Sequence, residues 1–183
     1  MKICKIHAEL SNNYLVENNK RVILIDCACA VEDLKKITNK IDAIVLTHGH
    51  FDHFFSVQEV QKFYNCPVFM HKQTYEKLSN SKLNASAQFN EKLEINLQQA
   101  CVKFVKEGKQ DIGGIDAQIL FAPGHTNDSI LIAIDNALFV GDFLFERGYG
   151  RTDLPTGSFA DLKQSLRKYL PMISNYTLFY GHD

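Results

Sequence analysis

The stretch Thr47-His48-Gly49-His50-Phe51-Asp52-His53 decides how the rest of this chain is read. Four metal-capable side chains, His48, His50, Asp52 and His53, crowd directly behind the apolar run Ile44-Val45-Leu46, which has the composition of a buried strand. A strand that stops and gives way to a loop can aim alternate imidazoles at one point, as a divalent cation requires. A continuing strand or a helix could not converge all four. The spacing predicts a metal centre at a strand end.

Upstream, residues 2 to 8, 13 to 17 and 21 to 26 are short β-branched and aliphatic segments. The turn-formers Ser11-Asn12-Asn13 and Asn18-Asn19-Lys20 separate them, so they predict an antiparallel meander. Residues 31 to 40 predict a helix with Val31, Leu34 and Ile37 on one face. Downstream, Val57, Val60, Phe63 and Tyr64 recur at helical spacing, and residues 66 to 70 read as another strand. This alternation predicts a layered α/β arrangement.

The polar tract 72 to 98 reads as a helix near 72 to 79 and then a long connection, either a cover for the site or a plain surface excursion. Strands follow over 100 to 106, 109 to 112, 115 to 122, 129 to 134 and 137 to 140. A helix capped by Ser158 spans 158 to 170, its apolar stripe being Phe159, Leu162, Leu166, Tyr169 and Leu170. The last strand is 177 to 180.

The chain has 183 residues, enough for one domain with a substantial core and no need of disulfides or structural metals. With 20 basic and 21 acidic residues, a formal net charge of −1 and no like-charged block, it lacks the footprint of a nucleic-acid binder. Five cysteines with no Cys-x-x-Cys pair, and no signal peptide before the first strand, point to a reduced, cytoplasmic compartment. No apolar run approaches the ~18 residues of a membrane span, so no membrane association is expected.

Further metal-capable residues follow other strands: His125 in Pro123-Gly124-His125-Thr126, Asp142 after Gly141, and His182 after Gly181. One zinc ion takes about four ligands, one of them water when the site is catalytic, so seven candidates suit two ions sharing a carboxylate.

The succession Thr-His-x-His-x-Asp-His, Pro-Gly-His-Thr, Gly-Asp-x-Leu-Phe and Gly-His resembles that of the metallo-β-lactamase superfamily across nearly the whole chain. The resemblance implies an αββα sandwich: two face-to-face β-sheets with helices outside and a metal site at one edge. By position, His48, His50 and His125 would hold a first metal, Asp52, His53 and His182 a second, and Asp142 would bridge. Asp26 would be an outer carboxylate that orients a site residue.

Within the superfamily, Gly141 to Phe145 followed by Gly150-Arg151-Thr152-Asp153-Leu154-Pro155 resembles the short glyoxalase II-like branch, whose members hydrolyse thioesters of the hydroxyacyl-glutathione type. The implied cofactor is a pair of zinc ions, with iron or mixed iron and zinc as alternatives. The implied partner is a small thiol conjugate. A metal-held hydroxide would attack the thioester, with Asp52 available as proton acceptor. The expectation is a single domain over 1–183 without the C-terminal helical domain of full-length glyoxalase II. Persulfide dioxygenases resemble the chain almost as well through Arg147, Gly150 to Asp153 and His182-Asp183. In that branch residues matching His48, His125 and Asp142 hold one iron.

Arg151 stands where glyoxalase II relatives place a basic residue on the glutathione part, which makes it a candidate carboxylate grip; an Arg151–Asp153 contact that orders the loop competes evenly. Tyr149 is a candidate pocket residue. Phe54 and Phe55 fit a pocket or the core equally. Cys27 and Cys29 read as small buried residues rather than ligands, and His7 and His71 are set aside as structural or exposed.

Overall fold

The computed structural model describes residues 1–183. The N-terminal half contains β1 (Lys2–His7), β2 (Asn12–Asn18), β3 (Arg21–Ile25), α1 (Val31–Lys35), β4 (Ala43–Val45), α2 (Phe51–Phe54), α3 (Val57–Tyr64), β5 (Val68–Met70) and α4 (Lys72–Leu78). The C-terminal half contains β6 (Val102–Phe104), β7 (Gly108–Ile112), β8 (Ile115–Phe121), β9 (Ile130–Ile134), β10 (Ala137–Gly141), the small hairpin β11 (Leu144–Phe145) and β12 (Gly148–Tyr149), α5 (Phe159–Ile173) and β13 (Thr177–Tyr180).

One sheet has the order β1-β2-β3-β4-β5-β6 and the other β13-β10-β9-β8-β7. In the first, β1 to β3 form the expected antiparallel meander, and β3 to β6 are parallel neighbours. In the second, β7 to β10 are antiparallel and β13 returns parallel to β10.

Strict alternation along the central strands accounts for the layering. Ile23 and Ile25 of β3, Ala43 and Val45 of β4, Ile130 and Ile132 of β9 and Phe139 of β10 meet between the sheets. The residues between them point outward: Leu24 and Ile44 pack under Leu34, Val57 and Val60 of the helices, and Leu131, Leu138 and Val140 pack under Leu162 and Tyr169 of α5. Both faces of each central strand are thus dry, so β9 and β10 are buried at every position. The result is the expected αββα order of layers.

Several expectations are corrected. The first helix ends at Lys35 rather than residue 40, and Ile37 is 49% exposed beyond it. Asn12 and Asn13 belong to β2 instead of a turn: Asn13 Oδ1 accepts from the backbone N–H of Ala28 and Cys29, and the Asn12 amide donates to Tyr180 O. The helix opening at Ser158 runs on to Ile173 through Pro171, with Phe159 and Leu170 exposed rather than in its stripe. The 144–149 hairpin is absent from the sequence reading because its two-residue strands carry no periodicity.

Candidate metal centre

The Thr47–His53 stretch is not a simple loop. β4 stops at Val45, residues 46 to 50 run irregularly, and α2 begins at Phe51, so His48 comes from irregular backbone, His50 from the extended residue that precedes α2, and Asp52 and His53 from the first turn of a helix. Different local geometries therefore feed one site. His125 arrives from the turn after β8, Asp142 from the end of β10 and His182 from the end of β13.

The seven residues gather into overlapping groups: His48, His50 and His125; His48, His53 and Asp142; Asp52, His53 and His182. In each group the offered atoms lie within 4.8 Å of one another. His50 Nδ1 is 3.2 Å from His48 Nε2 and 2.9 Å from His125 Nε2. Asp142 lies between the groups, 3.2 Å from His53 Nε2, 3.5 Å from His125 Nε2 and 3.4 Å from His182 Nε2. Asp52 is 3.3 Å from His182 Nε2.

Hydrogen bonds behind the rings fix which nitrogen faces inward. Asp26, in a left-handed conformation at φ 56, accepts from Thr47 N at 2.8 Å and from Thr47 Oγ1 at 2.8 Å. That hydroxyl has spent its hydrogen, so at 3.1 Å it accepts from His48 Nδ1–H and leaves His48 Nε2 bare. Asp26 also accepts from His53 Nδ1–H at 2.8 Å, and Arg151 O accepts from His125 Nδ1–H at 2.7 Å. Asp26 thus stands behind two rings at once, bonded directly to His53 and through Thr47 to His48.

This donor set fits metal ions. Three bare imidazole nitrogens about 3 Å apart repel one another unless a cation lies among them, and ligands at about 2.0–2.1 Å around tetrahedral zinc stand about 3.3 Å apart. His50 Nε2 is buried without a hydrogen-bond partner. Backbone clearance matters equally: a Cβ on Gly181 would lie 2.3 Å from Asp142 Oδ1 and 2.8 Å from His53 Cε1.

Electrostatics separate the groups. Burial, reinforced by neighbouring imidazoles, pushes His48 well below its ordinary value and His50 down to about 3; burial also lowers His125. Burial opposes charge on His53 and His182 too, but carboxylates prevail there. Asp142, Asp26 and Asp52 hold His53 well above its ordinary value, and hydrogen bonds to Asp142 and Asp52 hold His182 at about 9. Asp142 and Asp52 are lowered, the charge of His53 outweighing the burial that would raise them.

A cleft of about 540 Å³ opens onto the site, and Tyr149 and Arg151 line it. The other walls, Leu10, Phe51, Ala85, Phe89, Phe145 and Leu154, with Glu9 at the rim, were not picked out from the sequence; Phe89, an aromatic inside a polar tract, was the one signal available. The long connection after α4 thus contributes to the cleft through Ala85 and Phe89. Arg151 clasps Asp153 with two bonds of 2.7 and 2.6 Å, the loop-ordering contact. Phe54 is core and Phe55 is exposed; neither lines the cleft. Cys27 and Cys29 are buried and free. His71 caps α4, and His7 lies at the surface beside Asp183.

Comparison with known proteins agrees with this geometry. The profile of the Metallo-beta-lactamase superfamily matches residues 8–182. A probable metallo-hydrolase of Methanocaldococcus jannaschii is 34% identical over 184 residues, covering 94% of this chain and 87% of that protein. A hydroxyacylglutathione hydrolase of Rhodopseudomonas palustris is 30% identical over 161 residues, covering 86% of this chain and 54% of that one. The crystal structure of BLEG-1, a B3 metallo-beta-lactamase, matches with a TM-score of 0.90 at 27% identity, covering 100% of this chain and 92% of that one. That of TTHA1623 in a di-iron-bound form matches with a TM-score of 0.84 at 28% identity and the same coverage. The chain belongs to the metallo-beta-lactamase superfamily.

Proposed function

We propose that this protein is a metal-dependent hydrolase of small thioesters that uses two metal ions, zinc in the first instance and iron or mixed iron and zinc as alternatives. His48, His50 and His125 would hold one ion, Asp52, His53 and His182 the other, and Asp142 would be shared. The observation that carries the reading is the completeness of the second group: Asp52, His53 and His182 converge beside Asp142. A single-iron persulfide dioxygenase would need only His48, His125 and Asp142 and would leave that group idle.

Two divalent ions so held supply a hydroxide near neutral pH and a Lewis acid for the carbonyl oxygen. The chain's residues do the rest. Asp26 orients His53 directly and His48 through Thr47 so that Nε2 of each ring faces inward, and Asp52 would accept a proton from water when its group is empty. A thiolate leaves with a pKa of about 8.5, so the absence of a further general acid in the cleft is no obstacle. The predominantly apolar walls suit a substrate with an apolar body. Arg151 reaches a substrate carboxylate only by exchanging Asp153 for it; its role is to order the wall and, through its carbonyl, to orient His125. The hydroxyacylglutathione hydrolase relative supports the thioester class, and five free cysteines support a reduced, cytoplasmic setting.

The test is metal analysis of protein purified without added metal, combined with hydrolysis of S-lactoylglutathione and of a neutral alkyl thioester, and oxygen uptake with a thiol persulfide. Two metal equivalents with thioester hydrolysis are expected. Two zinc equivalents with no hydrolysis of either thioester would sink the proposal.

A further inference from the structure

Beneath the first ligand group lies an ion pair that the chemistry above does not use. Lys77 Nζ donates to Asp128 Oδ1, and the two side chains are only 2% and 0% exposed. The pair has further anchors: Lys77 Nζ donates to Thr156 Oγ1 at 2.7 Å, and Thr74 Oγ1 donates to Asp128 Oδ2 at 2.6 Å. Burial would raise Asp128, but the Lys77 ammonium and hydroxyl hydrogen bonds hold it below the usual carboxylate range, while burial lowers Lys77 against the pull of Asp128.

Its location gives it a role. Gly49 separates His48 from His50, and a Cβ there would meet Lys77 Cδ at 2.7 Å and Asp128 Oδ2 at 2.9 Å, so the ligand loop rests directly on the pair. Thr156 is held at φ 68, a conformation costly for a β-branched residue, in the segment that also carries Arg151, whose carbonyl orients His125. α4, which carries Lys77, has a second tie to the site. Asn84 Nδ2 donates to Lys77 O at 3.1 Å, while Asn84 O accepts from Phe51 N at 3.0 Å at the start of α2. The pair therefore touches the His48–His50 loop on one side and the His125-orienting wall on the other.

We infer that Lys77 and Asp128 are positioning residues that set the spacing of His48, His50 and His125, and hence the affinity and ligand field of the first metal. This goes beyond the proposed reaction and holds whatever the substrate. A buried pair usually contributes little net stability, and breaking it from one side is costly because the remaining charge is stranded; removing both charges together is far milder. That asymmetry separates positioning from mere packing.

The experiment compares Lys77→Met, Asp128→Asn and the double variant in the full chain, reading metal-free melting temperature, zinc affinity by chelator competition and the absorption bands of the cobalt-substituted protein. The single variants should melt lower or fail to fold. The double variant should melt close to wild type yet bind its first metal about tenfold more weakly, the low end for outer-layer partners, with shifted cobalt bands. A double variant that regains wild-type affinity and an unchanged cobalt spectrum would overturn the inference, as would folded single variants with unaltered affinity.

Discussion

His48, His50 and His125 lie inside the protein at 1%, 3% and 3% exposure, whereas in the second group the Asp52 and His182 side chains are 22% and 33% exposed. The first group is all imidazole, and burial keeps its rings unprotonated. The second mixes imidazole and carboxylate, and there the carboxylates keep His53 and His182 protonated. A cation meets ready lone pairs in the first group and must displace protons in the second. The first group should therefore fill first and with little pH dependence, and the second later and with proton release.

The most severe way to break this contrast is His50→Ala. It removes the ligand atom that lies 3.2 Å from His48 Nε2 and 2.9 Å from His125 Nε2, so metal content should fall from two equivalents to one. Activity should drop by about 10²–10³-fold or more, the scale of losing a group that stabilises developing charge. Next, Asp26→Asn reaches both groups through Thr47 and His53, but its direct bond is to His53. It should cost about 10–100-fold in metal affinity, mostly at the second group, measured by stepwise chelator titration. A larger loss at the first group would invert the comparison.

Gly181→Ala strikes the shared carboxylate, since the new Cβ has no room beside Asp142. Overpacking of this kind costs about 1–3 kcal/mol, a fall in melting temperature of about 2–12 °C at this size, with weakened uptake at the second group. The gentlest probe is pH. His182 sits at about 9 in the folded protein against an ordinary value of about 6.5. Its pairing with Asp52 and Asp142 thus stabilises the metal-free protein fully below about 6.5, and that stabilisation is lost as pH rises through about 9. The melting temperature of metal-free protein should decline over that window, and His182→Ala should flatten the decline; an unchanged slope would remove the electrostatic half of the comparison.

The site's donors were legible in the sequence and its walls were not, for a physical reason. Each donor follows an apolar strand, and few residue types can bind a cation, so residue type and position sufficed to name His48, His125, Asp142 and His182. Phe51, Phe89, Phe145 and Leu154 come from segments whose placement depends on remote wiring such as Asn84 to Phe51, which no local pattern reports. The succession of helices and strands pointed to α/β layers, but the αββα order came from the family resemblance, because β9 and β10 are buried at every position and show no alternation from which facing could be read. Asn12 and Asn13 misled because asparagine usually marks a turn; here their amides serve distant backbone groups from within a strand. Arg151 was evenly balanced between two roles in the sequence, since a contact with Asp153 two residues on depends on side-chain geometry that no local pattern reports.

β13 and its mooring carry one more consequence. Tyr14 Oη donates to Tyr180 O at 2.6 Å, Asn12 N to Gly181 O at 2.7 Å and Gly181 N to Gly141 O at 2.9 Å, so His182 is pinned between the beginning of the chain and β10. During synthesis, residues 12 to 14 leave the ribosome long before their partners exist. The first ligand group can assemble once residue 125 has emerged, but the second must wait until residues 177 to 182 have docked. In the two-ion centre proposed above, a chain cut short before β13 would lack His182 and leave Asp52 and His53 without their third partner.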